Sequence, residues 1–137
     1  MNIGIILNGV TGRMGTNQHL MRSIVEIIKQ GGVQVGPGEF IMPDPILVGR
    51  DEVKLRKLCK MSGVEKYTTN LDEVMNNTDY QIYFDAQTTG RRAEAVKMAA
   101  KAGKHVYCEK PLTRYLGEAF QVYDKVKSSG KVFQIGS

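Results

Sequence analysis

The sequence lacks a long hydrophobic run and has few cysteines. No apolar stretch approaches the roughly 20 residues that a membrane-spanning helix needs. Residues 1–8 are too short, and too closely followed by glycine, to form a signal peptide. We therefore expect a cytoplasmic protein without a membrane partner. The two cysteines, Cys59 and Cys108, are expected to be thiols rather than a disulfide.

The sequence also lacks a block of like charge. Its net charge of +5 favours anionic partners, yet the lysines and arginines are scattered and are not interleaved with aromatic residues. A nucleic-acid site requires a basic stripe or patch, so we predict no nucleic-acid partner. We interpret most of the charge as solvated helix faces, with a few cations left for a phosphate ligand.

Strand and helix patterns alternate along the chain, which is long enough for one domain, 1–137, and too short for two. Six short segments are predicted strands: Asn2–Leu7, Ile46–Gly49, Tyr67–Thr69, Gln81–Ala86, His105–Cys108 and Val132–Ile135. Segments with helical spacing separate most of them: Met14–Gln30, Glu52–Met61, Asp72–Asn76, Arg91–Ala102 and Leu116–Ser129. This alternation predicts an α/β fold, a doubly wound parallel sheet with the Rossmann strand order 3-2-1-4-5-6.

One segment interrupts this alternation. Residues 31–45 (GGVQVGPGEFIMPDP) are longer than a typical loop between a helix and a strand. Short apolar runs on either side of Gly36-Pro37-Gly38 are compatible with a small hairpin. We expect an inserted surface loop here rather than a catalytic element.

The strongest local signal is a glycine-rich turn, residues 8–15 (NGVTGRMG), between the first strand and the first helix. Glycines at 9 and 12 let the backbone turn tightly and approach a pyrophosphate, and the N–H groups of the helix start point at the anion. The predicted cofactor contacts in this turn are Gly9, Val10, Thr11, Gly12, Arg13 and Met14. The alternatives are a tight turn without a ligand and, for Arg13, simple solvation.

The end of the second strand carries the second cofactor signal. An acidic residue there binds the adenosine ribose of NAD, whereas a cation accommodates the 2′-phosphate of NADP. The strand is followed by Arg50 and then Asp51. Arg50 suits a phosphate because its guanidinium is planar and permanently charged. We predict NADP as the preferred cofactor and NAD as the alternative; a surface pair between Arg50 and Asp51 is the other interpretation.

A second motif follows the fifth strand, where the chain reads GKHVYCEKP over residues 103–111. Ligands in open α/β sheets bind beyond the carboxyl ends of the strands, which puts Glu109 and Lys110 at the edge of the cleft. Together with the glycine turn, this run resembles the glucose–fructose oxidoreductase/inositol dehydrogenase (Gfo/Idh/MocA) family. The resemblance extends over Arg50, the alanine-rich helix and the helix Leu116–Ser129.

The resemblance implies roles for individual residues. Lys110 is implied to be the catalytic residue that orients the substrate or handles a proton, and Glu109 and Lys110 are implied to line the nicotinamide pocket. The segment 85–89 (DAQTT) is implied to line the cofactor cleft, with Gln87 and Thr88 as contacts. A salt bridge of Lys110 with Glu109 or another acid is the structural alternative.

The family also carries a second, β-rich domain, which is expected to be absent from this chain. We therefore expect the dinucleotide-binding part of an oxidoreductase that transfers hydride to or from a sugar- or polyol-like substrate. Without the second domain, this part is expected to be inactive alone. The predicted partner is a small-molecule substrate, no metal site is predicted, and a homo-oligomer is left open.

Two other functions stay open on the sequence. One is a non-catalytic nucleotide-binding or redox-sensing module that keeps the cleft. The other is an enzyme similar to dihydrodipicolinate reductase, whose phosphate turn resembles residues 12–15 (GRMG). The EKP motif argues against the latter.

Overall fold

The computed structural model describes residues 2–11, 22, 24–87, 89–108 and 130–135. Its strands are β1 (Asn2–Asn8), β2 (Val33–Gly36), β3 (Glu39–Val48), β4 (Lys66–Thr68), β5 (Tyr80–Asp85), β6 (His105–Cys108) and β7 (Phe133–Ile135). Its helices are α1 (residues 24–29), α2 (Glu52–Ser62), α3 (Leu71–Met75) and α4 (Thr89–Lys101). The predicted helix Leu116–Ser129 and the first half of Met14–Gln30 lie outside the described residues.

The parallel part of the sheet has the order β4-β3-β1-β5-β6-β7. Counted over the six predicted strands, this is the order 3-2-1-4-5-6 of the sequence analysis, which is confirmed. The connection that leaves β1 leads to β3 on one side, and the chain later returns to β5 on the other side of β1. The carboxyl end of β1 is therefore the switch point at which open α/β sheets bind ligands.

Helices cover both faces of the sheet because neighbouring strand residues point in opposite directions. In β1, Ile6 packs into the core on the side of α3 and α4, whereas Leu7 packs into the core on the side of α1 and α2. Small side chains of α4, among them Ala93 and Ala99, let this helix lie close to the strands. The doubly wound arrangement is thus built from two separate apolar layers.

The segment expected as a surface loop contains strand structure instead. β2 pairs antiparallel with the start of β3 and forms the hairpin that the sequence allowed, and β3 then continues without a break into the sheet. β2 pairs up to Ile41 and β4 begins to pair at Ile46, so residues 42–45 face no described strand on that side. Pro43 and Pro45 fall in this gap, which is where strands tolerate proline. The expectation that the second strand starts at Ile46 was wrong for this reason.

Two smaller expectations concern thiols and membranes. Cys59 is half-buried and Cys108 is buried, and both are thiols. Within the described ranges, no helix combines the length and the apolar character that crossing a bilayer requires.

Candidate dinucleotide-binding site

The candidate site begins where the chain leaves β1. Gly9 has a φ of +84°, in the left-handed region that favours glycine. Its N–H donates a hydrogen bond of 3.1 Å to the carbonyl oxygen of Val48 at the end of β3. Val10 is buried in the core next to α2, and Thr11 is half-buried. The first turn is thus held by a backbone bond on one side and by apolar packing on the other.

Gly9 has a second structural reason to be glycine. A Cβ atom at this position would lie 2.6 Å from the backbone nitrogen of Gln87, which follows β5. The space beside its Cα is therefore occupied by the protein's own backbone. The direct approach of Gly9 to a pyrophosphate stays a prediction.

The end of β3 lies on the other side of β1. A Cβ atom on Gly49 would lie 3.4 Å from the Oγ1 atom of Thr11, so the chain at this end of β3 comes close to the first turn. Arg50 is exposed. Asp51 is the N-cap of α2, and its Oδ1 atom accepts hydrogen bonds from the backbone N–H groups of Val53 and Lys54 at 3.0 and 3.2 Å.

The capping role changes the interpretation of this pair. Within the part of the chain that the structure describes, no ion pair joins Arg50 and Asp51, so the surface-pair alternative finds no support there. The acid at 51 is explained by the need of α2 for an N-cap. Arg50 is left exposed at the end of β3.

The structure brings together part of the predicted site. Gly9, Val10, Thr11 and Gln87 lie at the carboxyl ends of the adjacent strands β1 and β5, and Arg50 lies at the end of β3. The remaining predicted contacts lie outside the described residues: Gly12, Arg13, Met14, Thr88, Glu109 and Lys110. A positive-φ glycine at the switch point and an exposed guanidinium on the neighbouring strand end fit a phosphate-bearing dinucleotide.

A buried polar network supports this strand end from within. Asp85 is the last residue of β5 and is fully buried. Its Oδ1 atom accepts from Arg92 Nε at 3.3 Å and from the backbone N–H of Gln87 at 2.9 Å. Its Oδ2 atom accepts from the Tyr83 hydroxyl at 2.5 Å and from Gln87 Nε2 at 2.9 Å. Asn8 Nδ2 donates to the Tyr83 hydroxyl at 2.9 Å, which ties β1 to the network.

The network bears on one expectation. The segment 85–89 was implied to line the cofactor cleft, and within it the Asp85 side chain is buried and pairs with Arg92 on α4. Sequence reasoning missed Arg92 altogether. A signal was present, because Arg92 shares the inward helical stripe with Val96 and Ala99, and an acid that ends an apolar strand requires a buried partner.

The network also affects the ionisation of Tyr83. Burial, followed by the neighbouring negative charge of Asp85 and its hydrogen bond, raises the pKa of the Tyr83 hydroxyl well above its ordinary value. The hydroxyl therefore stays protonated and remains a donor to Asp85. Among the residues that the structure describes, no three His, Cys, Asp or Glu side chains gather as a metal site would require.

Comparison with known proteins now decides the family. The Gfo/Idh/MocA family model, described as an oxidoreductase family with an NAD-binding Rossmann fold, matches residues 46–137. The chain belongs to the Gfo/Idh/MocA oxidoreductase family. The resemblance stated from the glycine turn and the EKP motif is confirmed.

Two relatives in the family illustrate the match. The chain is 42% identical over 128 residues to a D-xylose dehydrogenase of Paenarthrobacter nicotinovorans, an alignment that covers 93% of this chain and 33% of the relative. It is 33% identical over 93 residues to scyllo-inositol 2-dehydrogenase (NAD(+)) of Bacillus subtilis, covering 68% of this chain and 26% of the relative. The chain thus spans about a third of the length of the first of these family members.

Solved structures agree with the fold. A levoglucosan dehydrogenase in complex with NADH and levoglucosan superposes with a TM-score of 0.79 at 25% identity, over 98% of this chain and 35% of that one. A myo-inositol 2-dehydrogenase from Lactobacillus plantarum gives a TM-score of 0.77 at 25% identity, over 99% and 36% of the two chains. This family domain is an NAD-binding Rossmann fold.

Proposed function

We propose that residues 1–137 fold as one dinucleotide-binding domain and supply the cofactor half of an NAD(P)-dependent sugar or polyol dehydrogenase. The observation that carries the proposal is the family match together with the turn at Gly9, which lies at the switch point of the sheet. The relatives include D-xylose, inositol and levoglucosan dehydrogenases, and their activities support a sugar-like substrate.

We propose NADP as the preferred cofactor. The exposed guanidinium of Arg50 at the end of β3 is available to a 2′-phosphate, whereas the Asp51 carboxylate, which would suit a ribose, caps α2. NAD remains the alternative, because a levoglucosan dehydrogenase with the same fold was solved with NADH.

In the proposed reaction the nicotinamide exchanges a hydride with a substrate carbon that bears a hydroxyl or carbonyl oxygen. We assign Lys110 to orient that oxygen or move its proton, and Glu109 to line the nicotinamide pocket. The chain spans about a third of the D-xylose dehydrogenase it matches. We therefore propose that residues outside these 137 complete the substrate pocket. The 137-residue chain is therefore expected to bind cofactor without turnover.

The cofactor proposal is tested by titrating the chain with NADPH and NADH and following nicotinamide fluorescence. We expect tighter binding of NADPH, and equal binding of the two after Arg50→Ala. Arg56→Ala is the matched control, because Arg56 is an exposed arginine on α2 that pairs with Glu52. A chain without any preference would remove the assignment of Arg50.

The activity proposal is tested by screening D-xylose, inositols and levoglucosan for NADP reduction. The test compares the 137-residue chain with a gene product extended to the length of its relatives. The enzyme proposal is supported if the extended protein reduces NADP with one of these substrates and its Lys110→Ala variant does not. Tight cofactor binding with no turnover of any polyol by the extended protein would favour the non-catalytic nucleotide-binding module instead.

The family match favours this oxidoreductase over the dihydrodipicolinate-reductase-like alternative. A cytoplasmic location and a homo-oligomer belong to the same proposal. Fractionation of cells and light scattering of the purified chain test these two points.

A further inference from the structure

Gln87 is held in place by three hydrogen bonds to a single buried ion pair. Its backbone N–H donates to Asp85 Oδ1 and its side-chain Nε2 donates to Asp85 Oδ2, each at 2.9 Å. Its carbonyl oxygen accepts from Arg92 Nη2 at 2.5 Å. Both backbone polar groups and the side-chain amide of this half-buried residue are therefore bonded to the Asp85–Arg92 pair.

Fold stability alone is a poor explanation for this ion pair. Asp85 and Arg92 are 0% and 1% exposed, so forming the pair removes two charges from water. Buried ion pairs often contribute no more to stability than apolar residues of similar size. What an arginine adds is a rigid fork that binds two acceptors in a fixed geometry. Here the fork contacts Asp85 with Nε and the Gln87 carbonyl with Nη2.

The residue that the pair holds lies at the switch point. Gln87 packs against Gly9, and a Cβ atom on Gly9 would lie 2.6 Å from the Gln87 nitrogen. In a doubly wound sheet the adenosine half of a dinucleotide lies on the side of the second strand, here β3, and the other half lies beyond the switch point. The backbone at Gln87 lies on the side of the sheet where the nicotinamide half of the dinucleotide is expected.

We propose that Asp85 and Arg92 are positioning residues, which act through the Gln87 backbone to shape the part of the crevice that receives the nicotinamide half of the cofactor. The proposal rests on the proposed dinucleotide binding. It assigns Arg92 a role that differs from that of Arg50, because Arg50 is assigned to the adenosine half. The two arginines should therefore affect different halves of the ligand.

The experiment measures dissociation constants for NADPH and for adenosine 2′,5′-bisphosphate, which is the adenosine half alone. Arg92→Lys keeps the charge but lacks the fork that reaches both Asp85 and the Gln87 carbonyl. We expect NADPH to bind about tenfold more weakly to this variant, because the Gln87 carbonyl loses the guanidinium that fixes its position and small misplacements in a binding site lower affinity. Binding of the bisphosphate should change less than about twofold. Arg50→Ala should weaken both ligands.

Lys104→Met is the matched control. Lys104 is also a buried cation against β5, but it binds the carbonyl of Tyr80 at the opposite end of that strand. This variant should lose thermal stability and keep both dissociation constants. If Arg92→Lys keeps its NADPH affinity within twofold, or if it weakens both ligands equally, the positioning role is overturned while dinucleotide binding stands.

A second measurement does not depend on any variant. In an NMR spectrum of the unsubstituted chain, the Gln87 backbone amide should shift clearly more on addition of NADPH than on addition of the bisphosphate, whose 5′-phosphate reaches only the neighbouring turn at Gly9. An unshifted Gln87 amide at saturating NADPH overturns the proposal. A chain that binds neither ligand overturns the proposed function itself, which separates the two failures.

Discussion

The backbone of Gln87 lies where the side chain of any other residue at position 9 would begin. A Cβ atom on Gly9 would be 2.6 Å from the Gln87 nitrogen and 2.8 Å from its Cα. Both atoms belong to a backbone that the Asp85–Arg92 pair holds, so they cannot move aside as a flexible side chain would. Gly9 is therefore required by the contact between β1 and β5 as well as by its positive φ.

Gly9→Ala should lower the free energy of unfolding by about 3 kcal/mol, which combines the strain of a positive φ with overpacking against the backbone. Urea denaturation of the purified chain measures the loss. Gly38→Ala is the control, because Gly38 has a φ of +71° and no atom within 4 Å of its virtual Cβ. It should lose about 1 kcal/mol from strain alone. Equal losses in the two variants would contradict the contact argument.

Asp51→Ala should destabilise the chain by about 1 kcal/mol, because α2 loses the side chain that caps its first N–H groups. Thermal unfolding at neutral pH detects the change. Asp51→Asn keeps an acceptor oxygen and should stay within a few tenths of a kcal/mol of the parent. If the asparagine variant is as unstable as the alanine variant, the charge rather than the cap is responsible.

Lys104→Met should cost about 1–3 kcal/mol, because it leaves buried carbonyl oxygens without a donor. The Lys104 amino group donates to the carbonyls of Asn77 and Tyr80 at 2.6 and 2.5 Å. Lys101→Met on the exposed face of α4 should change stability by less than about 0.5 kcal/mol. Similar losses for both lysines would show that general charge, and not these two bonds, determines the effect.

Tyr83 should make the chain less stable in alkali. Its pKa is raised in the folded state, so above pH about 10 the unfolded chain releases this proton while the folded chain retains it. The contribution of Tyr83 to the free energy of unfolding is complete below the ordinary tyrosine pKa. It is lost as the pH rises towards the pKa that Tyr83 has in the folded chain. Burial lowers the pKa of Lys104 and acts in the opposite direction, so only a comparison isolates Tyr83.

The comparison is between the parent chain and Tyr83→Phe, denatured with urea at several values on either side of pH about 10. The parent should lose stability with rising pH more steeply than the phenylalanine variant, which cannot release that proton. Parallel pH profiles would contradict the assignment.

The hairpin shows where periodicity was insufficient. The prolines at 43 and 45 and the nearby glycines made residues 31–45 resemble a loop, since proline is excluded from most paired strands. β3 nevertheless runs through both prolines, because its neighbour on that side changes from β2 to β4 at this point. Local spacing does not show the residue at which one neighbouring strand ends and the next begins, because that depends on segments distant in sequence.

The sequence by itself determined the α/β class, the strand order and the family, because these follow from local apolar spacing, turn glycines and short motifs. Only the tertiary structure decided that Asp51 is a helix cap, that Arg92 is a buried partner of Asp85, and that Gly9 touches Gln87. Spacing indicates which side of an element is buried, whereas a polar partner is selected by the packing of strands and helices that are distant in sequence. Asn8 and Tyr83, which are 75 residues apart and hydrogen-bonded, are one example of this.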